Sequence, residues 1–454
     1  MPKRRIPVYF TSLEIENVRC FGEQQRLDLT DRKTGRPARW TLILGDNGVG
    51  KTTLLQCLAW TRLVPDDDPA LLAEENEVLE SLLREGSVRQ LALGPKLSVG
   101  TPLSPLPAKA RSSSGRGKTI GTRVQMFFDT KRRLSDTKPK PGTTASSKLS
   151  EPLVVAYGAN RQLGVLNLAT ASLDDPIASR LSGLTELYDV QEILSGLDYA
   201  SRKKRGKNPE ARHLKRLREV LTRVLPGHFE PTDIQIFPPD VLDQGERSGV
   251  HLKTFTGLVP MSSLSLGYQT TLAWTTDLAW RLLKRYPKSS NALAEPAVVL
   301  IDEIDLHLHP LWQLRIIDDL SAVFPSTQFV ATAHSPLMVQ VAETANVVLL
   351  RSRETDVEIV NDPDRVRSWR VDQILTSELF GVPRARNKQT QRLFARREEL
   401  LDKTSLTPAE NAALKKLRVQ ISQLPTAQDP SDQKAMDFIR EAAALLKRQE
   451  VVKS

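Results

Sequence analysis

A phosphate-binding loop is the chemically clearest segment of this chain. Residues 45–52, GDNGVGKT, fill every fixed position of the pattern G-x-x-x-x-G-K-[S/T]. The glycines allow backbone N–H groups to curl around phosphates, and the N-terminus of the helix that follows adds a favourable dipole. We expect Lys51 to reach the β- and γ-phosphates of a nucleotide and the Thr52 hydroxyl to ligate Mg²⁺.

Two consecutive carboxylates follow a second apolar run. Residues 297–303 are AVVLIDE, which indicates a buried strand that delivers Asp302 and Glu303 to the carboxyl edge of a sheet. Ligands bind at that edge in open α/β sheets. We expect Asp302 to organise the Mg²⁺ shell and Glu303 to polarise an attacking water. The pattern is only moderately specific by itself, but a phosphate loop upstream makes it strong.

A third segment, LSLGYQ at 264–269, precedes a helix without Pro or Gly. It resembles the LSGGQ signature of ABC-type ATPases, with Leu266 and Tyr268 as departures. A serine hydroxyl and a glycine backbone at a helix N-terminus make a second anion site. The same residues also suit an ordinary helix N-cap. The position of the segment, just ahead of the Asp-Glu strand, favours the signature.

Histidines follow the carboxylates in two places. Residues 304–310, IDLHLHP, and 332–336, TAHSP, resemble the segments after the carboxylates and around the switch histidine of SMC- and RecF-like ATPases. That resemblance implies that His334 contacts the γ-phosphate or its water. His307 and His309 could instead be metal ligands, but no further ligands accompany them, so structural or dimer-contact roles are favoured.

Composition limits the class of protein. The chain has 454 residues, of which 40% are hydrophobic, so a sizeable core is expected. No run approaches the roughly 18 to 20 apolar residues of a membrane span. The two cysteines make no disulfide framework or metal spacing. We therefore expect a soluble, cytoplasmic protein without membrane association. The formal charge of +10 favours an acidic partner such as nucleic acid, although a solvated basic surface explains it equally well.

The pattern of elements predicts how these motifs are positioned. Residues 10–30 alternate like two strands, and apolar strands then alternate with helices, which indicates a covered, largely parallel sheet. Stretches 94–122 and 134–150 are rich in Pro, Gly, Ser, Thr and Lys, and predict flexible surface excursions. After about 365 only helical patterns remain. The expected divisions are an N-terminal lobe with the phosphate loop (1–64), a partly flexible insertion (65–150), a helical lid (151–240), a C-terminal lobe (241–362) and a helical domain (363–454).

The order of the motifs resembles compact ABC-type ATPases related to RecF, SMC heads and overcoming-lysogenization-defect proteins, over residues 10 to 350. The resemblance implies an α/β fold: an ABC-type P-loop ATPase head with a mixed, largely parallel sheet, a helical lid insertion and a C-terminal helical region. It also implies ATP and Mg²⁺ as ligands, and a homodimer in which Ser265 and Gly267 of one copy contact the γ-phosphate held by the other copy's Lys51. Asp305 would then lie across the interface. The expected nucleotide-binding residues are Gly45, Asp46, Asn47, Gly48, Val49, Gly50, Lys51, Thr52, Thr53, Ser265, Gly267 and Asp302; the expected catalytic residues are Lys51, Glu303 and His334; the expected magnesium ligands are Thr52 and Asp302.

Two departures refine the function. The gap from Lys51 to Ser265 is too long for a transporter subunit and too short for an SMC coiled coil, and the glutamine loop is unclear. Its nearest candidate, YGANRQ at 157–162, and the pattern WRVDQIL at 369–375 followed by LFG resemble ATPases of anti-phage operons, such as Septu- and retron-associated ones. We therefore expect a dimerising ATPase that acts as a nucleic-acid-linked sensor and controls a partner effector such as a nuclease. A RecF-like repair ATPase and an ATP-dependent scaffold with little turnover are the alternatives.

Nuclease activity in this chain is not expected, because residues 362–364, DPD, suit a turn better than a Toprim metal site. Two basic runs are candidates for phosphate contacts, and solvated helix faces are the alternative reading of both. Few aromatic residues accompany them, which argues against base stacking. The first run comprises Arg202, Lys203, Lys204, Arg205 and Lys207, and the second comprises Arg384, Arg386, Lys388, Arg392, Arg396 and Arg397.

Overall fold

The structure is a computed structural model of the chain. It describes residues 8–60, 153–166, 181, 183–203, 208–237, 248–340, 345–361, 371–376, 388–403 and 406–422, together with the backbone of 90–99, 118–121, 124–128 and 134–135. The chain divides into two compact units, Met1–Ile374 and Leu375–Ser454. None of the helices that the structure describes has the length and apolar character to cross a membrane.

The strands are β1 (Val8–Glu16), β2 (Gln25–Asp28), β3 (Trp40–Gly45), β4 (Gln90–Val99), β5 (Lys118–Gly121), β6 (Val124–Phe128), β7 (Leu134–Ser135), β8 (Leu153–Tyr157), β9 (Arg161–Leu166), β10 (Thr185–Tyr188), β11 (Ile234–Phe237), β12 (Gly249–Thr254), β13 (Gly257–Pro260), β14 (Ala297–Ile301), β15 (Thr327–Thr332), β16 (Asn346–Ser352) and β17 (Val357–Asn361). The helices are α1 (Lys51–Trp60), α2 (Val190–Lys203), α3 (Pro209–Val224), α4 (Leu266–Arg285), α5 (Pro310–Gln313), α6 (Ile316–Val323), α7 (Pro336–Gln340), α8 (Val371–Thr376), α9 (Lys388–Leu401) and α10 (Pro408–Ser422).

The first unit is built on a six-stranded sheet in the order β17-β16-β3-β15-β14-β8. Strand β3 pairs in parallel with β15 and β16, and β14 pairs in parallel with β15 and β8, whereas β17 is antiparallel to β16. The predicted α/β fold with a mixed, largely parallel sheet is confirmed. Because β3, β14 and β15 are neighbours that run the same way, their carboxyl ends meet at one edge.

The central strands are apolar because both of their faces are covered. Every residue of β14 and β15 is buried, as are the first five residues of β3. The rings of Trp40 on β3 and Phe329 on β15 stack with their centroids 4.2 Å apart. This packing fixes β3 beside β15, and with it the position from which the phosphate loop leaves the sheet.

A second, antiparallel sheet has the order β2-β1-β4-β6-β7, with β5 paired to β4. The hairpin of β1 and β2 agrees with the alternation at 10–30. The expectation of flexible excursions is wrong for the residues of β5, for β7 and for the second half of β4. Gly94 and Pro95 interrupt the alternation of β4, and its pairing with β1 is non-local (Glu14 opposite Gly94), so the local pattern gave no signal.

A buried ion pair connects helix α4 to the central sheet. Asp277 and Arg281 lie one turn apart, and Arg281 Nε donates to Asp277 Oδ2 at 2.9 Å. The hydroxyl of Tyr157, at the end of β8, donates to the same oxygen at 2.7 Å. The two charged side chains are 0% and 3% exposed, so their pairing compensates charges that are both removed from water. The helix that begins at the expected signature is therefore anchored to the strand beside β14.

The second unit is helical in its described residues, in agreement with the prediction for the chain after 365. Leu400 and Leu401 of α9 pack with Leu414 of α10, and Leu406 and Leu417 cover this small cluster. The subdivision of the chain at 64, 150, 240 and 362 stays a prediction.

We predict that Asp277→Ala lowers the free energy of unfolding by about 3 kcal/mol or more, because it removes the carboxylate that compensates the buried Arg281 charge. Asp318→Ala on α6 is the matched control: this carboxylate is exposed, and its loss should cost about 0.5 kcal/mol or less. Urea denaturation of both variants measures the difference. Equal stabilities would show that the buried pair contributes nothing.

Candidate active site

The phosphate loop connects β3 to α1, and its three glycines all have a positive φ, that of Gly48 being 82°. Gly45 has a φ of 146° and Gly50 a φ of 88°, conformations that side chains rarely adopt. A Cβ on Gly45 would lie 2.7 Å from the carbonyl oxygen of Leu350, and one on Gly50 would overlap Cys20 and Phe21. Gly45 is therefore packed closely against β16, and Gly50 against residues of the loop between β1 and β2.

The side chain of Lys51 folds back onto the loop that precedes it. Its Nζ donates to the carbonyl oxygens of Gly45 at 2.8 Å and Asp46 at 2.7 Å. Burial lowers the pKa of Lys51, and the nearby Asp302 and Glu303 oppose that shift. The cation thus lies between the loop and the carboxylates, where a phosphate group would need it.

The other loop residues fall into two groups. Asp46, Asn47 and Gly48 are exposed, whereas Val49 is buried in the core. Thr53 is also buried, and its hydroxyl accepts a hydrogen bond from Arg19 at 3.2 Å. Val49 and Thr53 therefore support the loop by packing and hydrogen bonding.

The two expected magnesium ligands lie together. Thr52 Oγ1 donates to Asp302 Oδ2 at 2.7 Å, and Thr332 Oγ1 donates to Asp302 Oδ1 at 2.6 Å. One carboxylate and one hydroxyl form the hard oxygen set that Mg²⁺ prefers, because this ion usually keeps waters and takes its other ligands from phosphates. Within the described ranges no cluster of three or more His, Cys, Asp or Glu forms a metal site. The donor set fits Mg²⁺ bound together with a nucleotide.

Glu303 follows the buried strand in a left-handed backbone conformation, with a φ of 48°. Its N–H donates to Thr332 Oγ1 at 2.7 Å, so one threonine hydroxyl joins the backbone of Glu303 to the carboxylate of Asp302. Glu303 Oε1 lies 3.9 Å from His334 Nε2, and both side chains are about one-third exposed. Glu303 and His334, two of the three expected catalytic residues, therefore face each other in a partly open position.

Arg161 is a site residue to which sequence reasoning gave no role. Its Nη2 donates to the carbonyl oxygens of Asp302 at 2.5 Å and Glu303 at 3.3 Å. Burial lowers the pKa of Arg161 to about 10, against the effect of the two carboxylates. Within the candidate glutamine loop, Gln162 is exposed, and the arginine before it reaches the site. The spacing of tyrosine, glycine and arginine in YGANRQ (YGxxR) is the only sequence pattern that pointed to this arginine.

The switch segment is fixed by Asp305. Asp305 Oδ2 accepts hydrogen bonds from the backbone N–H groups of His334 at 3.0 Å and Ser335 at 2.6 Å. The Ser335 hydroxyl donates to Gln313 Oε1 at 2.5 Å. These contacts of Asp305 lie within one chain, and its expected position across a dimer interface stays a prediction.

The expected signature opens helix α4. Ser265 is the N-cap by position, yet its side chain is exposed and makes no capping hydrogen bond, so the ordinary N-cap explanation does not account for this serine. Gly267 is buried, and a Cβ there would overlap the carbonyl oxygen of His307. The ring of Tyr268 lies 5.3 Å from that of Trp312. The glycine is thus required by close backbone packing, whereas Ser265 and Leu266 are exposed to solvent.

Both histidines of the 304–310 segment have local structural roles. His307 has a φ of 64°, and its carbonyl packs on Gly267. His309 Nδ1 accepts a hydrogen bond from the N–H of Leu311 at 3.3 Å and caps α5. These contacts support the structural interpretation over metal binding.

The basic runs are only partly described. Arg202 pairs with Asp198 at 2.8 Å, and Lys203 lies over the ring of Tyr199. Arg396 pairs with Glu399 at 2.7 Å. Arg397 is 9% exposed, so its inclusion in a surface patch is wrong; its helical position turns it inward. Outside the described residues lie Lys204, Arg205, Lys207, Arg384, Arg386, the DPD turn at 362–364 and the LFG segment at 379–381.

Two protein-family models match parts of this chain. Residues 180–339 match the family described as "AAA domain, putative AbiEii toxin, Type IV TA system", and residues 12–63 match a second AAA-domain family. A Septu protein PtuA of Bacillus mycoides (strain KBAB4) is 25% identical over 91% of this chain and 50% of its own length. The predicted resemblance to Septu- and retron-associated ATPases is confirmed.

A second relative of this kind is the Retron Ec83 probable ATPase of Escherichia coli, which is 37% identical over 30% of this chain and 23% of its own length. The chain thus spans half or less of the length of these two relatives. Among solved structures, the SMC head domain from Thermotoga maritima aligns with 78% of this chain and 98% of that domain, at a TM-score of 0.39 and 12% identity.

We predict that Gly267→Ala destabilises the fold by about 1 to 3 kcal/mol, because the added methyl group forces the start of α4 away from the His307 carbonyl. Gly196→Ala is the matched control: this exposed helical glycine has no neighbour within 4 Å of an added Cβ, and alanine should stabilise it by about 0.5 to 1 kcal/mol. Thermal unfolding of both variants gives the comparison. A stable Gly267→Ala protein would contradict the packing argument.

Proposed function

We propose that this chain binds ATP with Mg²⁺ and hydrolyses it, that two copies close around the nucleotide, and that this closure controls a partner effector in phage defence. The observation that carries the proposal is an asymmetry between two parts of the site. The phosphate loop, Asp302 and Glu303 converge in one chain, while Ser265 is exposed with no capping contact. An exposed serine at a helix N-terminus suits a phosphate brought by a second copy.

The proposed reaction uses groups already in contact. Lys51 neutralises charge on the β- and γ-phosphates, and the backbone N–H groups of the loop orient them. Bound Mg²⁺, held by Thr52 and Asp302, would supply further charge stabilisation at the phosphates. Glu303 accepts a proton from water as the water oxygen attacks the γ-phosphorus. The bond from that phosphorus to the β,γ-bridging oxygen breaks, and ADP and phosphate leave.

His334 and Asp305 have separate tasks in this proposal. His334 lies 3.9 Å from Glu303, close enough to contact the same water or the γ-phosphate. Asp305 holds the His334 backbone, so the histidine is positioned before nucleotide arrives. Loss of the γ-phosphate after hydrolysis removes the contacts that favour closure, which makes closure reversible.

The defence role is supported by the similarity to a Septu protein and a retron-associated probable ATPase. In this role the dimer senses nucleic acid through exposed basic residues and licenses a separate effector such as a nuclease. Phosphate contacts of this kind weaken steeply as salt concentration rises. Growth arrest on co-expression with a nuclease encoded by an adjacent gene would support control of an effector. Salt-sensitive binding of duplex nucleic acid that stimulates ATP turnover, without growth arrest, would favour a repair ATPase.

Glu303→Gln should reduce ATP turnover by about 10²-fold or more, because the amide cannot accept the proton from water. ATP binding should persist, and dimers should accumulate. Turnover assays and mass photometry with and without ATP measure both effects, with Glu186→Gln on β10 as an exposed control. Unchanged turnover in Glu303→Gln would exclude Glu303 as the base and favour a scaffold role.

Ser265→Arg should prevent ATP-driven dimerisation, because a bulky side chain replaces the serine at the surface that meets the second copy. Binding of ATP to the monomer should stay within about twofold of wild type, since the phosphate loop is untouched. Ser290→Arg places the same side chain at another exposed serine. Equal dimerisation of Ser265→Arg and Ser290→Arg would refute the shared site.

A further inference from the structure

Arg161 lies behind the two carboxylates on which the proposed function depends. It begins β9, just after the turn that leaves β8, and β8 pairs in parallel with β14. Its guanidinium reaches the two carbonyl oxygens at the end of β14, those of Asp302 and Glu303. These carbonyls lie where the chain leaves the strand, so Arg161 replaces the partners that the sheet no longer supplies.

We propose that Arg161 is a positioning residue that holds the turn at Asp302 and Glu303 in its left-handed form and thereby keeps the Glu303 carboxylate beside the γ-phosphate position. The inference rests on the proposed function for the reaction that Glu303 performs. Arg161 lies outside the phosphate loop, the Asp-Glu strand, the LSLGYQ segment and the two histidine segments. The proposal gives the segment 157–162 a task different from that of a glutamine loop.

The backbone of Glu303 explains why such a residue is needed. A φ of 48° is unfavourable for any residue with a Cβ, and it persists only where its surroundings over-determine it. The N–H of Glu303 is held by Thr332 Oγ1 at 2.7 Å, and its carbonyl by Arg161. Loss of Arg161 removes the hydrogen bonds to the carbonyl oxygens of both Glu303 and Asp302.

The charge of Arg161 favours the same arrangement. Burial lowers its pKa only to about 10, so the side chain stays protonated near neutral pH. Asp302, Glu303 and Asp305 act on both Arg161 and Lys51, the two cations that face this acidic group. In the proposed reaction Lys51 is engaged with phosphates, whereas Arg161 is fixed by carbonyl oxygens and continues to balance the carboxylates.

The neighbouring Tyr157 makes the segment rigid. The Tyr157 hydroxyl donates to buried Asp277 on α4, and the Tyr157 carbonyl accepts the N–H of Asp302 at 2.8 Å. Arg161 therefore approaches the turn from a segment that is anchored to both α4 and Asp302. A rigid support of this kind is what precise placement of a reacting group requires.

The test compares wild type with Arg161→Met, which removes the charge and the donors, and Arg161→Lys, which keeps the charge without the two-carbonyl fork. We expect kcat for ATP to fall about 10²-fold in Arg161→Met with KM within about twofold, because a reacting group displaced by about 1 Å costs that much. Arg161→Lys should be intermediate. Arg216→Met, at an exposed arginine of α3, is the control.

A crystal structure of Arg161→Met supplies a readout independent of turnover, and Arg161→Lys serves if the methionine variant does not fold. A changed Glu303 backbone, with φ no longer near 48°, supports the proposal. A Glu303 backbone with its φ still near 48°, or a kcat equal to that of wild type in either variant, overturns the proposal. If wild type itself does not hydrolyse ATP, the proposed function fails, while the backbone of Glu303 in the variant still decides the role of Arg161.

Discussion

The carboxylate of Asp302, held between two threonine hydroxyls, is the interaction on which the site depends. Thr52 approaches it from the start of α1 and Thr332 from the end of β15, while Asp302 itself directly follows β14. The buried side chain of Asp302 thus joins three segments that are far apart in the chain. Because hydrogen bonds to a charged acceptor are strong in a buried setting, this junction fixes the phosphate loop relative to the carboxylates.

Parallel strand order makes that junction feasible. With β3, β15 and β14 side by side, their carboxyl ends deliver the loop, the threonine and the two acids to one edge. The adjoining strand β8 contributes Tyr157, which connects the edge to α4 through Asp277. The phosphate loop and helix α4 are therefore both attached to the same sheet, α4 through the contact between Tyr157 and Asp277.

Close backbone packing sets what the signature helix presents. Gly267 lies against the His307 carbonyl, and this contact brings the start of α4 to the segment that follows the carboxylates. Asp305 in that segment holds the switch backbone at His334. The Ser265 side chain is thus exposed to solvent and that of His334 is about one-third exposed, while the backbone of His334 is held by Asp305 and the start of α4 by Gly267.

The amino-acid sequence by itself determined the chemical groups and the elements that carry them: the phosphate loop after β3, the two acids after β14, the serine before α4 and the histidine after β15. These were predictable because strong apolar runs and fixed motif spacings are local properties. Only the tertiary structure decided which groups meet. The contacts of Arg161 with the Glu303 carbonyl and the pairing of β4 with β1 depend on non-local packing, which no local pattern encodes. The burial of Arg397 is also decided by tertiary structure. Arg397 lies on the face of α9 that α10 covers within the second unit, and the charge of the run that contains it does not reveal this.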